Sequence, residues 1–145
     1  MGREQGKTAS ILIAEMERLA QQMPQGHKNV HLKDIADRFN SSLARFTEAT
    51  RWIVEVYPSN PAAVAAGSVY YLKLAGITLG GWMMARSALI AAELLEKGEG
   101  DAAFLRGKIL TARFYADHVL AQSMGLCSAT MRGADSVLAV EEALL

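Results

Sequence analysis

Few side chains in this chain have the type and spacing to do chemistry, and each set falls short of a working constellation. Gly2-Arg3-Glu4-Gln5-Gly6-Lys7-Thr8 looks at first like a phosphate-binding loop. It has three residues between its glycines where that loop needs four, and no strand leads into it. It reads as a polar lead with Thr8 near a helix start. His27 and His31 stand four apart, a spacing that binds metal on a helix. They fall in a polar loop with no nearby carboxylate or cysteine to complete a coordination shell. Metal-holding bundles use paired Glu-x-x-His motifs, and the sequence has none.

Arg113, Tyr115 and His118, in ARFYADH, would touch a ligand if they converged. The plainer reading is a helix flank on which Arg113 and Asp117, one turn apart, make a modest ion pair. Trp82, Met83 and Met84 beside Gly80 and Gly81 would line a cofactor pocket or, more commonly, pack as core around a helix crossing. Cys127 has only Arg132, one turn on, as a basic neighbour, which is too little to make a nucleophile. Glu93, Glu96, Glu141 and Glu142 lie near helix ends or in the tail, with nothing to raise a carboxyl pKa. No catalytic, cofactor-binding or metal-ligating residue is assigned.

The elements that would position these residues are all helical. No stretch alternates strictly between polar and apolar, so no strand is predicted. A first helix over Thr8 to Met23 has Leu12, Met16, Leu19 and Met23 on one face, and Pro24, Gln25 and Gly26 end it. The second carries a stripe from Leu32 through Ile35, Phe39, Leu43, Phe46, Thr50 and Ile53 to Tyr57, closed by Pro58. Ser59 or Asn60 caps a long third helix that starts at Pro61 and runs to Glu96, with Lys97 and Gly98 at its end. Gly76, Gly80 and Gly81 weaken its middle by about 1 kcal/mol each and allow a bend. Two of them, four apart, would admit another helix backbone. Asp101 caps a fourth helix with the stripe Ala102, Leu105, Ile109, Ala112, Ala116, Val119, Ser123 and Leu126, reaching Arg132. A last turn, Ala134 to Leu138, would fold Val137 and Leu138 back on the body. The expected fold is all-α: an up-down-up-down four-helix bundle with a short C-terminal helical turn, one domain over 1–145.

Composition narrows the function classes. The chain has 145 residues, 51% hydrophobic and 21% charged, with fifteen acidic residues against fifteen Lys and Arg. That balance gives a polyanion no handle, so no nucleic-acid partner is expected. A single cysteine and the polar N-terminus suggest a reduced, cytoplasmic setting. The uncharged runs Pro61 to Leu72 and Leu74 to Ala85 are shorter than the ~18–20 residues that span a bilayer. The third helix is therefore expected to be a buried helix of a soluble protein, with no membrane partner. Its apolar residues exceed what one face can bury, which makes Val64, Tyr70, Ile77 and Met84 the candidate interface and predicts self-association.

A set of short motifs gives the chain a likeness. They are Tyr71-Leu72 with Gly76, Gly80-Gly81-Trp82, Ala85-Arg86, Gly100-Asp101-Ala102-Ala103-Phe104, Ala112-Arg113-Phe114-Tyr115-Ala116 and Gly133-Ala134. In this order and spacing they resemble the helical domain at the C-terminal end of a subgroup of FAD-dependent acyl-CoA dehydrogenases, the one that includes the 3-methylmercaptopropionyl-CoA dehydrogenases. The likeness is strong from Tyr71 onward and weak from Gly6 to Val56. It implies a domain lying beyond the catalytic body, in which FAD takes a hydride from the acyl β-carbon while a glutamate removes the α-proton. No residue here matches that glutamate or the flavin-contacting motifs, so FAD is expected only in a full-length relative. The expected function is an accessory, assembly domain, non-catalytic by itself, packing on the catalytic domains or on a second copy. The alternative from another class is a free-standing helical protein-interaction module, which would present a groove on a stable monomer.

Overall fold

The computed structural model describes residues 6–23 and 29–140. Its elements are α1 (Lys7–Gln22), α2 (Val30–Val56), α3 (Pro61–Lys97), α4 (Ala102–His118), a 3-10 turn (Leu120–Gln122), α5 (Ser123–Arg132) and α6 (Ala134–Leu138). The fold is all-helical, with no strand among the described residues. The lead Gly2 to Gln5, the breaker Pro24 to Gly26, His27, and the tail carboxylates Glu141 and Glu142 lie outside the described residues.

Local chemistry sets most of the boundaries. The Asn29 side chain accepts the His31 amide at 3.0 Å, so α2 begins at Val30 and takes His31 into its first turn rather than leaving it in a loop. The Asn60 side chain accepts the Ala63 amide at 3.1 Å with Pro61 following, and Gly98 closes α3 in the left-handed region at φ 69°. Both ends match the expected signals. Asp101 accepts from the amides of Ala103 at 2.8 Å and Phe104 at 3.2 Å and opens α4.

α3 is the axis of the molecule: α2, α4, α5 and α6 all pack on it, whereas α1 leans mainly on α2. Met16, Leu32, Ile35, Phe39 and Leu74 are fully buried where these helices meet. Each such side chain contributes about 1.5–3 kcal/mol of transfer free energy. Polar contacts fix the register of α2 against α3. The Ser42 and Thr78 hydroxyls lie 2.9 Å apart in the core, and Thr50 meets the Tyr71 hydroxyl at 2.9 Å while the Phe46 and Tyr71 rings stack at 5.6 Å. Burial pushes the Tyr71 phenol above its ordinary pKa.

Several expectations are corrected. The fourth helix is interrupted after His118, because the Leu120 side chain turns into the space left by Gly81, where an added Cβ would meet it at 2.7 Å. The Gln122 side chain donates from Nε2 to the His118 carbonyl at 3.0 Å across this break. In α6 it is Ala134 that is buried, and Val137 and Leu138 stay exposed. Tyr57, at the end of the α2 stripe, and Ala102, at the start of the α4 stripe, are exposed as well.

The glycines of α3 also behave differently from expectation. Gly76 faces open space, and Gly80 and Gly81 receive the side chains of Tyr115 and Leu120 instead of a helix backbone. The close backbone approach occurs a few turns earlier: a Cβ on Gly67 would overlap the Thr130 carbonyl of α5.

The largest correction concerns how much of α3 is covered. By length and composition α3 is apolar enough to cross a membrane, yet only 22% of its most apolar 18-residue window is buried. It is thus far less buried than the buried helix expected from the sequence, while the expected excess of apolar residues beyond one face is present. Its inward face is built from small residues, among them Gly67, Gly81, Ala85, Ala88 and Ala92, which draw neighbouring helices in. Leu74 and Leu89 are buried with them, while Val69, Leu72, Met83 and Ile90 point the other way. A helix apolar all round is normally covered all round; this one is covered on one side.

Candidate functional site

The residues singled out for chemistry do not converge. Arg113 extends from α4 toward α2, donating from Nε to Asp117 Oδ2 at 2.6 Å and from Nη1 to Asp34. Arg38 Nε lies 3.9 Å from the second Asp117 oxygen. The hydrogen bond from Arg113 is the main reason the Asp117 carboxyl sits below the usual carboxylate range, and the same bond raises Arg113. Tyr115 points instead to α3, its hydroxyl donating to the Ile77 carbonyl at 3.1 Å beside Gly80. Burial raises its pKa. His118 faces solvent against Phe114, ring centroids 4.5 Å apart. Three neighbours in sequence thus serve three directions, and the expected Arg113–Asp117 pair joins a link between α2 and α4.

Cys127 is buried, its sulfur 3.9 Å from Glu48 Oε2 and 3.7 Å from Met131 Sδ. Burial first, and the Glu48 charge next, push its thiol up, while Arg45 pulls weakly the other way. This is an unreactive thiol. Among the described residues no three His, Cys, Asp or Glu side chains gather as metal ligands would. Glu93 and Glu96 are exposed near the end of α3. Among the described residues, open grooves include the following two. One, of about 480 Å³, is lined by Asn29, Val30, Ala92, Leu95 and Glu96. The other, of about 500 Å³, lies between α1 and α2 and includes Glu17, Gln21, Asn40 and Leu43. Neither focuses charged groups on one point, as a reaction site requires.

What the structure does assemble is a surface. Val69, Leu72, Met83 and Ile90 lie on the outward face of α3, between 47% and 72% exposed. Their spacing returns them to one side of a 3.6-residue helix, with the open Gly76 between them. On the neighbouring α4, Phe104, Leu110 and Phe114 are also exposed. Of the interface candidates, Tyr70 is exposed, whereas Val64, Ile77 and Met84 are half-buried, Met84 against the core. Trp82 packs on the core as expected, but Met83 does not. The sequence reading therefore missed Val69, Leu72, Met83 and Ile90. The signal was available, since their separations of 3, 11 and 7 residues are close to whole helical turns and set them opposite Leu74, Thr78 and Ala85. It was masked because both faces of α3 are apolar.

The family described as "Acetyl-CoA dehydrogenase C-terminal like" matches residues 12–141. The 3-methylmercaptopropionyl-CoA dehydrogenase of Ruegeria pomeroyi is 36% identical over 104 residues, covering 72% of this chain and 18% of that protein. The chain therefore aligns with less than a fifth of the length of this curated relative.

Proposed function

From membership of the acetyl-CoA dehydrogenase C-terminal-like family, to which this chain belongs, we propose that it is an accessory, assembly domain of an FAD-dependent acyl-CoA dehydrogenase-like protein, non-catalytic by itself. One observation carries the reading: a segment matching 18% of a much longer dehydrogenase has an apolar helix left open along one side. Such a face packs against further protein. FAD and the acyl-CoA chemistry belong, in this reading, to the remainder of a full-length relative. In this reading Tyr70, which is exposed, and Val64, Ile77 and Met84, which are half-buried, belong to the packing surface. The helices follow an up-down-up-down order, with α5 extending α4. The short connections at 57–60 and 98–101 and the packing of α3 on both α2 and α4 support that order. The setting is cytoplasmic.

The test is an absorbance spectrum of the purified chain before and after incubation with FAD and gel filtration. A colourless protein that releases all added flavin is the expected result. A yellow protein, or one that carries FAD through the column, would overturn the reading. A second reading, a free-standing helical interaction module, draws on the open groove between α1 and α2. It predicts a stable monomer that captures a helical peptide there.

A further inference from the structure

The outward stripe of α3 is complementary to itself. Laid antiparallel on a second α3, about a two-fold axis between Leu79 and Gly80, it sets Val69 opposite Ile90, Leu72 opposite Ser87 and Met83 opposite Gly76. The most exposed large side chain, Leu72, then faces a small residue, and the long Met83 faces a glycine whose outer side is open. Bulky against small at matching levels is what lets two helices interlock at close range. Lys73 and Arg86, the charges nearest the centre, fall at the same level of this pairing. Helical rotation puts them on opposite flanks, so neither faces the other.

Area points the same way. Val69, Leu72, Met83 and Ile90 expose on the order of 400 Å² of apolar side chain, about half of what one partner contributes to a standard interface. Two such faces bury about 800 Å² in total, the small end of the range, so the association is weak and reversible. We infer that the outward face of α3 is an isologous interface with a second copy of this chain, antiparallel, with Met83 of each copy seated over Gly76 of the other. This rests on the assembly reading above and names the partner of that surface. The contact is closed by two-fold symmetry, so it yields a dimer and not a filament.

The experiment is light scattering across a concentration series on the full 145-residue chain and two variants. Gly76→Met fills the recess, and because Gly76 faces open space the helix gains propensity and the fold is retained, checked by circular dichroism. Gly76→Met/Met83→Ala exchanges knob and recess. The expected result is a wild-type dimer, at least tenfold weaker association in Gly76→Met, and recovery of most of that loss in the double variant. A wild-type monomer throughout, an unweakened Gly76→Met dimer, or a double variant no tighter than the single would each overturn the inference. So would a monomer that floats with phosphatidylglycerol–phosphatidylcholine vesicles, which would give the face to lipid. The flavin spectrum separates the two readings. A colourless monomer removes the dimer and leaves the assembly domain standing, whereas a flavin-retaining dimer does the reverse.

Discussion

At the scale of single residues, the glycines separate into those that are needed and those that are merely tolerated. Gly67 lets the α5 backbone reach α3, and the atom that would meet an added methyl is the Thr130 carbonyl oxygen, which cannot swing aside as a side-chain tip would. Gly67→Ala should therefore lower stability by about 1–3 kcal/mol despite the helix propensity it adds. Gly107, on α4, has nothing near it, and Gly107→Ala should raise stability by up to about 1 kcal/mol. Urea denaturation of the two variants checks the opposite signs. A mild effect at Gly67 would mean that α3 and α5 part easily. Cys127 gives a second residue-scale expectation. Its thiol is buried and held in the protonated form by burial and by Glu48, so labelling by a thiol reagent at pH 8 should follow the opening of the protein and accelerate in sub-denaturing urea. Fast stoichiometric labelling in buffer alone would contradict this. The plain reading of Cys127 and of the Arg113–Asp117 pair came from their sequence neighbours. Asp34 as the third member, and Glu48 beside the thiol, did not, because each lies 79 residues away along the chain.

At the scale of elements, α2 and α4 are joined by charge as well as by apolar contact. Asp117 accepts from Arg113, which also reaches Asp34 on α2, with Arg38 close by. The Asp117 carboxyl titrates below its ordinary value in the folded chain, first because of the Arg113 hydrogen bond. Its contribution is therefore present above the unfolded pKa of about 4 and is lost as pH falls through the lower folded value. Asp117→Asn should be less stable than wild type near neutrality, and the gap should close below about pH 4. Urea midpoints from pH 2 to 7 report this, and a gap independent of pH would remove the ion pair from the account. The pair is part-exposed, so added salt should narrow the gap too. The same elements show where periodicity stops being informative. The stripe through Leu105, Ile109, Ala112 and Ala116 is buried as its spacing requires, but the helix breaks at Leu120 to fill a space beside Gly81, on a different helix.

At the scale of the whole molecule, α3 is the shared partner and α1 the lightly held one, resting mainly on α2. Under native conditions the amides of α1 should exchange hydrogen well before those in the middle of α2 and α3. Equal protection across all of them would make α1 part of the cooperative core. The sequence by itself determined the helical class, both ends of α3, the cap of α4 and the family. These depend on residues within a turn or two of one another: a side-chain oxygen meeting the first amides, a proline or a left-handed glycine at a terminus, an apolar residue returning every three or four positions. Only the tertiary structure decided which side of α3 is left open, that the backbone approach is at Gly67, and that Arg113 spans two helices. The physical reason is that α3 is apolar on both faces, so its pattern names no inside. The small residues on one face let α2, α4 and α5 come close around Leu74 and Leu89, and Val69, Leu72, Met83 and Ile90 were left pointing out.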